Sequence, residues 1–391
     1  MIDTSPLPVV DVHCHPFVKR EALTAEQFTD LVSFPGGSVE YMVEGGVTAG
    51  DDLTDEMQRV RRDIVHFRHL VHRLAEFFDC KPDLDSILEA RNRATEDYAG
   101  YVKQLFEDCN LTTLVTDFGY PKPPLDRAQF IKDMPVEVVS VYRIEPLIAD
   151  LLKEDLPWAE FQHRYDDALA QAIEQEGYRG LKSIIAYRTG LDVSPLSRTP
   201  DQGLQALDAI QRGIGGRATK KLRDHLFCRA LEVCMEYDVP MQIHTGIGDY
   251  EVNLTLCRPA LLMDLLRFPA FRACKVLLVH GGYPYSAEAG YMANVLPRVY
   301  CDVSQGIPFA ASAGPSIFAE VLEMAPLSKV VCGSDGFNLP EVNYVAAKLA
   351  KTALARALGE LVDTGMLSED EAQDAAGLIL AGNARRLYAL D

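Results

Sequence analysis

Short apolar runs and longer amphipathic stretches alternate along this chain. The apolar runs are short, and most of them stop at a polar or turn-forming residue, as strands of a buried parallel sheet do. They occupy residues 7–12, 111–118, 136–142, 180–186, 241–244, 276–280, 299–303 and 330–335. Eight predicted strands, most of them followed by a helical stretch, indicate the α/β class and a (β/α)8 TIM barrel.

The segment between the first two predicted strands, 16–108, is long and mostly polar. Within it, apolar residues such as Val60, Ile64 and Phe67 recur at helical spacing. We therefore predict a single domain over residues 1–391 that carries a helical insertion after the first strand. Long insertions into compact domains are often functional, so we expect this one to cover the mouth of the barrel as a lid.

Further helices are predicted downstream of the insertion, over 146–176, 201–212, 219–237, 341–361 and 369–390. The glycines at 213–216 are predicted to break a helix rather than to bind phosphate, because no strand precedes them and their spacing is wrong. Within the insertion, His66, His69 and His72 recur every three residues. An ordinary helix surface is the favoured interpretation, and a second metal site is the alternative.

Several predicted strands end in a residue that can bind a metal ion. The first ends in Asp-Val-His-Cys-His, and alternate residues of a strand face the same side, so His13 and His15 are spaced to share one ion. Three later runs end at His244, His280 and Asp335. Taken singly, each of the later histidines would be a buried, hydrogen-bonded imidazole. Because parallel barrel strands end at one mouth, the whole set predicts a metal centre there.

Composition and charge narrow the classes of partner. The chain has 391 residues, of which 48% are apolar, and a formal net charge of −19, which argues against nucleic acid and anionic membranes as partners. No apolar run reaches the ~18 residues of a membrane span, and no signal peptide is evident. The nine cysteines include no Cys-x-x-Cys pair, so we expect a reduced, cytoplasmic protein. Cys14 alternates away from the flanking histidines and is predicted to pack in the core.

Taken together, these residues resemble the amidohydrolase superfamily, and more closely its amidohydrolase-2 branch, which also contains decarboxylases. The matching motifs are Asp-Val-His-Cys-His-Pro (11–16), Gly-Leu-Lys-Ser (180–183), Gln-Ile-His-Thr-Gly (242–246), Leu-Val-His-Gly-Gly-Tyr-Pro (278–284), Cys-Gly-Ser-Asp-Gly (332–336) and Gly-Asn-Ala-Arg-Arg-Leu-Tyr (382–388). A finer resemblance is to the amidohydrolase domain that is fused to glutamine-synthetase-like domains in FluG- and nodulin-type proteins. It is carried by residues 185–191, 243–249 and 283–291.

The resemblance implies that His13, His15 and His244 bind a divalent metal ion, with Asp335 as a further ligand. Zinc is favoured for such a donor set, and manganese and iron are the alternatives. Asp335 would accept the proton of the attacking water and later deliver it to the leaving group. His280 would orient that water or polarise the scissile carbonyl.

Lys182, in the fourth predicted strand, is a further metal-site candidate. In some relatives a lysine on this strand is carboxylated and bridges two metal ions, whereas in others it is not. The sequence leaves both arrangements open, and we favour one ion over two.

Two arginines follow apolar runs and are predicted to bind an acidic substrate. Arg143 ends the third strand and Arg188 follows the fourth, and a guanidinium can bind a carboxylate through two parallel hydrogen bonds. The alternative is an ordinary salt bridge to Glu145 or Asp192.

Aromatic and acidic residues complete the predicted pocket. Tyr187 and Tyr283 are predicted to contact the substrate, and Asp249 and Tyr285 are weaker candidates. Asp117, near the end of the second strand, either supports the site from behind or forms a turn before the following glycine.

The function favoured by the resemblance is metal-dependent hydrolysis of a C–N bond, an amide in a small carboxylate-bearing molecule. A metal-dependent non-oxidative decarboxylase of the same branch is the first alternative. A regulatory barrel that binds without turnover is a third, against which the intact ligand set argues. We expect a small-molecule substrate as the partner, and a homo-oligomer as a further expectation because barrels of this kind often pair.

Overall fold

The computed structural model describes residues 2–34, 51–121 and 123–390, without the side chains of 51–55 and 57. Within these residues, seven strands form one sheet in sequence order, and each neighbouring pair is parallel. The strands are β1 (Val9–Cys14), β2 (Leu111–Asp117), β3 (Glu137–Arg143), β4 (Leu181–Ser183), β5 (Met241–His244), β6 (Val276–Val279) and β7 (Val299–Cys301). The molecule is therefore an α/β protein with the strand order of a TIM barrel, as predicted.

The gap between β7 and β1 is closed by the segment predicted as the eighth strand, 330–335. On one side the N–H of Val331 donates to the carbonyl of Cys301 (3.0 Å), and on the other the N–H of Val12 donates to the carbonyl of Cys332 (2.9 Å). The prediction of a regular strand was wrong, because the segment makes only one isolated ladder bridge, Cys301 to Val330. Further along, the N–H of Ser334 bonds the Asp11 carboxylate (2.8 Å) instead of a neighbouring backbone.

Helices surround the sheet, and a two-residue strand, β8 (Ser304–Gln305), follows β7. The α-helices are Ala25–Val32, Asp51–Asp63, Val65–Phe78, Leu84–Ala94, Tyr98–Cys109, Arg127–Asp133, Ile144–Leu151, Trp158–Glu174, Ile185–Arg188, Pro200–Gln211, Arg217–Glu236, Met263–Arg267, Ser286–Val295, Gly306–Phe309, Gly314–Leu322, Pro340–Asp363, Glu369–Gly377 and Asn383–Tyr388. Short 3-10 turns lie at Thr95–Asp97, Pro195–Arg198, Leu254–Leu256, Pro259–Leu262, His280–Gly282, Ala311–Ala313 and Leu327–Lys329, and a π-turn at Leu378–Gly382.

The predicted helical stretches differ from the observed helices mainly by breaks. The stretch at 146–176 is two helices, because Pro157 disfavours helical geometry at Leu156 and starts a new helix at Trp158. Within the predicted insertion, the helices Asp51–Asp63 and Val65–Phe78 are separated at Ile64, whose backbone is extended (φ −76°, ψ 150°). The predicted break at 213–216 is confirmed, with Gly213 and Gly216 both at positive φ.

The barrel interior is filled by valines and leucines of the strands. Val10 and Val12 of β1 pack there with Leu277 and Val279 of β6. The C-terminal helix Asn383–Tyr388 packs against this layer and closes it from the end opposite the strand termini, where Nε2 of Gln242 donates to the hydroxyl of Tyr388 (2.7 Å). Cys14 lies in the separate layer between sheet and helices, as predicted.

The segment between β1 and β2 is helical and is joined to the barrel by a buried ion pair. Arg91, in the helix Leu84–Ala94, bonds through Nε to the carboxylate of Glu341 (2.8 Å), and both side chains are almost wholly buried. The hydroxyl of Tyr101 donates to the same carboxylate (3.0 Å). The lid function of this segment stays a prediction.

Among the described residues, none of the helices combines the length and the apolar composition that a membrane span requires.

Candidate active site

Three predicted metal ligands come together at the carboxyl ends of the strands. Oδ1 of Asp335 lies 3.1 Å from Nε2 of His13 and 3.4 Å from Nε2 of His15, and all three residues are buried. Yet Oδ1 of Asp335 has no hydrogen-bond partner among the described residues. Two imidazole nitrogens that converge on an unpaired carboxylate oxygen suit a divalent cation, so these residues fit the metal implied by the sequence.

The backbone at the mouth is strained at several site positions. Among residues other than glycine, His280 (φ 71°), Gln305 (φ 61°) and Asp335 (φ 53°) all have positive φ. Such conformations cost about 1–3 kcal/mol each and concentrate at functional sites. They turn the chain sharply where β6, β7 and the closing segment end.

His244 and His280 belong to a chain of hydrogen bonds beside this trio. The hydroxyl of Ser304 donates to Oδ1 of Asp302 (2.7 Å), so it accepts from Nδ1–H of His280 (2.9 Å). Nε2 of His280 then accepts from Nδ1–H of His244 (3.0 Å). The tautomers are assigned from this network. Nε2 of His244 is left unprotonated, buried and without a partner among the described residues.

The geometry separates His244 from the trio of Asp335, His13 and His15. It is not one of the residues whose ligand atoms all lie within 4.8 Å of one another, and its ring packs against Tyr187 at 4.6 Å between centroids. His244 lines the cavity and its Nε2 has no partner among the described residues, so ligation by His244 stays a prediction.

Burial keeps the imidazoles of His13, His244 and His280 neutral. It lowers the pKa of His13 to about 4, with the nearby Lys182 acting in the same direction, and it lowers the pKa of His244 and His280 well below the usual value. Burial would raise the pKa of Asp335, but His280, His13 and His15 outweigh it and hold that pKa well below its usual range. Neutral imidazoles and an ionised carboxylate are the forms that bind metals.

Lys182 lies within this cluster. Its Nζ is 3.2 Å from Nε2 of His13 and the side chain is almost fully buried. Burial lowers the pKa of Lys182 to about 8, although Asp117 opposes the shift. The amine is therefore partly uncharged near neutral pH, as reaction with carbon dioxide or direct ligation would require.

Asp117 supports the trio from behind. Its carbonyl oxygen lies 3.0 Å from Nδ1 of His15, which orients the ring so that Nε2 faces Asp335. Its carboxylate accepts from Nε of Arg143 (2.9 Å) and from the N–H of Gly119 (2.9 Å). Asp117 thus fits both interpretations, because it supports His15 from behind and also closes a turn with the N–H of Gly119. The salt-bridge partner of Arg143 is neither Glu145 nor Asp192 but this buried carboxylate.

The site opens into a cavity of about 560 Å³. Its lining includes all five metal-site candidates, His280, and the predicted substrate residues Arg143, Tyr187 and Arg188, with Asp249 also present. Tyr283 is not in the lining, because it lies in the loop after β6, where its carbonyl accepts from the N–H of Ile247 (2.8 Å). Tyr285 packs instead under the guanidinium of Arg258 (4.9 Å).

Several lining residues were missed from the sequence, namely Tyr120, Glu251, Gln305 and Phe337. Gln305 could have been found, because it lies two positions after the end of the seventh predicted run, and Tyr120 and Phe337 lie two positions after the second and the eighth. Glu251 lies farther into the loop after the fifth run and has no such signal.

The alternative metal site at His66, His69 and His72 is not formed. His66 is buried, its Nε2 lies 3.0 Å from the carbonyl of Val32, and its ring packs on Phe309 (4.7 Å). In the part of the chain that the structure describes, the trio at Asp335 is the one group arranged to hold a metal ion.

A family comparison agrees with this site. The sequence profile of the family described as Amidohydrolase (Amidohydro_2) matches residues 161–390, more than half of the chain. The chain belongs to the amidohydrolase family. The match includes Lys182, His244, His280 and Asp335, whereas the two histidines of β1 precede it. This amidohydrolase is accordingly an enzyme, and its ligand trio supports a divalent metal ion as cofactor.

Individual relatives of this amidohydrolase extend the likeness over the whole chain. Protein fluG of Emericella nidulans is 28% identical over 425 residues, which cover 100% of this chain and 46% of that protein, so the chain spans about half the length of that relative. A protein of Lactobacillus casei ATCC 334 that is assigned as a metal-dependent hydrolase has a similar structure (TM-score 0.82, 26% identity, 100% and 98% of the two chains). The glucuronate isomerase of Caulobacter crescentus shares the fold (TM-score 0.67, 15% identity, 99% and 92% covered).

Proposed function

We propose that this amidohydrolase hydrolyses the amide C–N bond of a small, carboxylate-bearing molecule with a divalent metal ion. The observation that carries the proposal is the convergence of the Asp335 carboxylate with two imidazoles, His13 and His15, in the lining of a polar cavity. Such a site needs both a general base and a cation-binding group, and the same three residues provide both.

The metal would be held by His13, His15 and Asp335, with Lys182 beside His13 and His244 as a further candidate ligand. We favour a single zinc ion. A divalent cation in such a site acts as a Lewis acid and lowers the pKa of a coordinated water toward neutrality. Two imidazoles with a carboxylate also suit manganese or iron.

Asp335 would move the proton. Its pKa lies well below the usual range, so at neutral pH it is ionised and can accept the proton of the attacking water. The same carboxyl would then deliver that proton to the departing amide nitrogen. His280 has both ring nitrogens engaged, with Ser304 and His244, so we infer that it positions His244 instead of touching the substrate itself.

Arg188 would bind the substrate carboxylate. It is exposed at the cavity wall and has no ion pair among the described residues, whereas the charge of Arg143 is balanced by Asp117. Tyr187 would shape the same wall, because its hydroxyl accepts from the N–H of Asp249 (2.8 Å).

The test is a product assay on the zinc-loaded protein. We expect release of ammonia or amine from at least one member of a panel of carboxylate-bearing amides, and loss of that activity in Asp335→Asn with much of the zinc retained. His163→Ala, at an exposed helix surface, is the matched control. Carbon dioxide release from carboxylic acids without amide cleavage would instead favour the decarboxylase.

A further inference from the structure

Gln305 is a buried polar residue in the cavity wall whose carboxamide oxygen has no partner. Its side chain lines the cavity and the residue is 2% exposed. Oε1 makes no hydrogen bond to any described residue. A buried carbonyl oxygen without a hydrogen bond costs about 1–3 kcal/mol, so its retention in a cavity wall points to a partner that arrives from the cavity.

The backbone of Gln305 adds a second, independent observation. Its dihedral angles (φ 61°, ψ −50°) lie close to those of a γ-turn, a rare and strained geometry for a residue with a side chain. The turn is held on both sides: Ser304 donates its N–H (2.7 Å) to Asp302, and the N–H of Ile307 donates to the carbonyl of Val303 (3.0 Å). Glycine would adopt this geometry without strain. The strain at this position therefore comes from having a side chain there.

The charges of the cavity wall show what kind of group Gln305 would meet. The loops after β4 and β5 place three charged residues in the cavity lining, namely Arg188, Asp249 and Glu251. Gln305, at the end of β8, and the buried Phe337, after the closing segment, are uncharged residues of the same lining. A carboxamide offers one acceptor and two donors but no charge, so it matches a neutral polar group such as another amide.

We propose that Gln305 is a substrate-specificity residue that hydrogen-bonds a neutral carboxamide-like group of the substrate, while the substrate carboxylate lies toward Arg188. This inference rests on the proposed function and deepens it, because it assigns the substrate to the class of molecules with a carboxylate at one end and an amide at the other. A site built to hydrogen-bond a polar group discriminates strongly against an apolar analogue, which leaves the buried partner unpaired.

The test is equilibrium binding, which needs no turnover. Two pairs of probes differ only in replacing the carboxamide by an isopropyl group of similar shape: succinamate against 4-methylpentanoate, and glutaramate against 5-methylhexanoate. We expect the zinc-loaded wild type to bind at least one carboxamide at least tenfold more tightly than its isostere. Gln305→Leu should reduce that ratio to about one without changing the zinc content, and Gln129→Leu, at an exposed helix position, should leave it unchanged.

A glycine variant and an alanine variant of Gln305 separate the effect of losing the side chain from the effect of relieving the backbone strain. Both Gln305→Gly and Gln305→Ala should lose the preference for the carboxamide, and Gln305→Gly should have the higher Tm because it relieves the positive φ. No preference in the wild type, binding of neither probe, or a preference that survives in Gln305→Leu would overturn the assignment. A carboxamide preference in a protein that cleaves no amide would overturn the proposed hydrolysis alone.

Discussion

Nε2 of His280 lies 3.0 Å from Nδ1 of His244, and this contact ends a chain of hydrogen bonds that begins at the buried carboxylate of Asp302. Asp302 also accepts the backbone N–H of His280 (2.8 Å). The chain fixes the tautomers of both rings and leaves Nε2 of His244 without a partner among the described residues. Asp302 thus positions two residues of the cavity lining, His280 and His244, although it does not itself line the cavity.

Asp302 should make the stability of the protein depend on pH. Burial raises the pKa of Asp302 to about 7, although hydrogen bonds from Ser304 and His280 oppose the shift. An unfolded aspartate titrates near pH ~3.9, so between pH ~4 and ~7 the native state holds a proton that the unfolded chain has lost. Stability therefore falls as pH rises through this window and levels off above pH ~7, with a slope of at most about 1.4 kcal/mol per pH unit.

The variant Asp302→Asn removes this titration while its amide oxygen can still accept the same bonds. We expect the free energy of unfolding of the wild type, minus that of the variant, to fall as pH rises from about 4.5 to 7. Urea denaturation of both metal-free proteins across that range measures it. Two curves that run parallel would show that Asp302 does not titrate in this window.

The metal site should depend on His13. We expect His13→Ala to lower zinc content by at least about tenfold and to abolish activity, because it removes one of three converging ligands. The helical circular dichroism should stay near that of the wild type, since the barrel core does not include this ring. Elemental analysis per chain gives the readout, and His163→Ala is the control. Wild-type zinc content near two equivalents would instead make Lys182 a bridging ligand.

The ion pair of Asp117 and Arg143 should be costly to break. The carboxylate is fully buried, and the guanidinium of Arg143 is the main cause that holds its pKa far below the usual value against the opposing effect of burial. We expect Arg143→Met to lower the free energy of unfolding by about 3–5 kcal/mol, because it leaves a buried charge unpaired.

A double variant provides the check on that pair. Asp117→Leu combined with Arg143→Met should be less destabilised than the sum of the two single changes, as a coupled pair requires. Additive effects in urea denaturation would mean that the two residues contribute independently. Loss of zinc in the Asp117 variant, by contrast, would show that the Asp117 side chain also holds in place the backbone carbonyl that contacts His15.

The helical segment between β1 and β2 should depend on Arg91. This side chain bonds Glu341 and, through Nη2, the carbonyl of Arg20 (2.8 Å), and both partners in the ion pair are buried. We expect Arg91→Met to lower the free energy of unfolding by about 3–5 kcal/mol. Arg93→Met, which removes an exposed pair with Glu89, should change it by no more than about 0.5 kcal/mol. Equal effects in denaturation experiments would refute the special role of Arg91.

Much of the architecture could be predicted because strands and helices have local periodicity. The apolar runs located seven strands, and alternation on β1 placed His13 and His15 on one side. The closing segment at 330–335 was located correctly but is not a regular strand. Its irregularity depends on Asp11, more than three hundred positions away in the sequence, whose carboxylate replaces a ladder partner for Ser334.

The sequence by itself determined the order of the elements and the strand-end positions of the catalytic candidates, since these follow from residues a few positions apart. Only the tertiary structure decided which side chains pair. It gave Arg143 to Asp117 instead of to a neighbour in sequence, placed Tyr283 outside the cavity and left Gln305 facing into it without a partner. The physical reason is that hydrogen bonds and ion pairs form between atoms that folding brings within about 3 Å, and no local pattern encodes that distance.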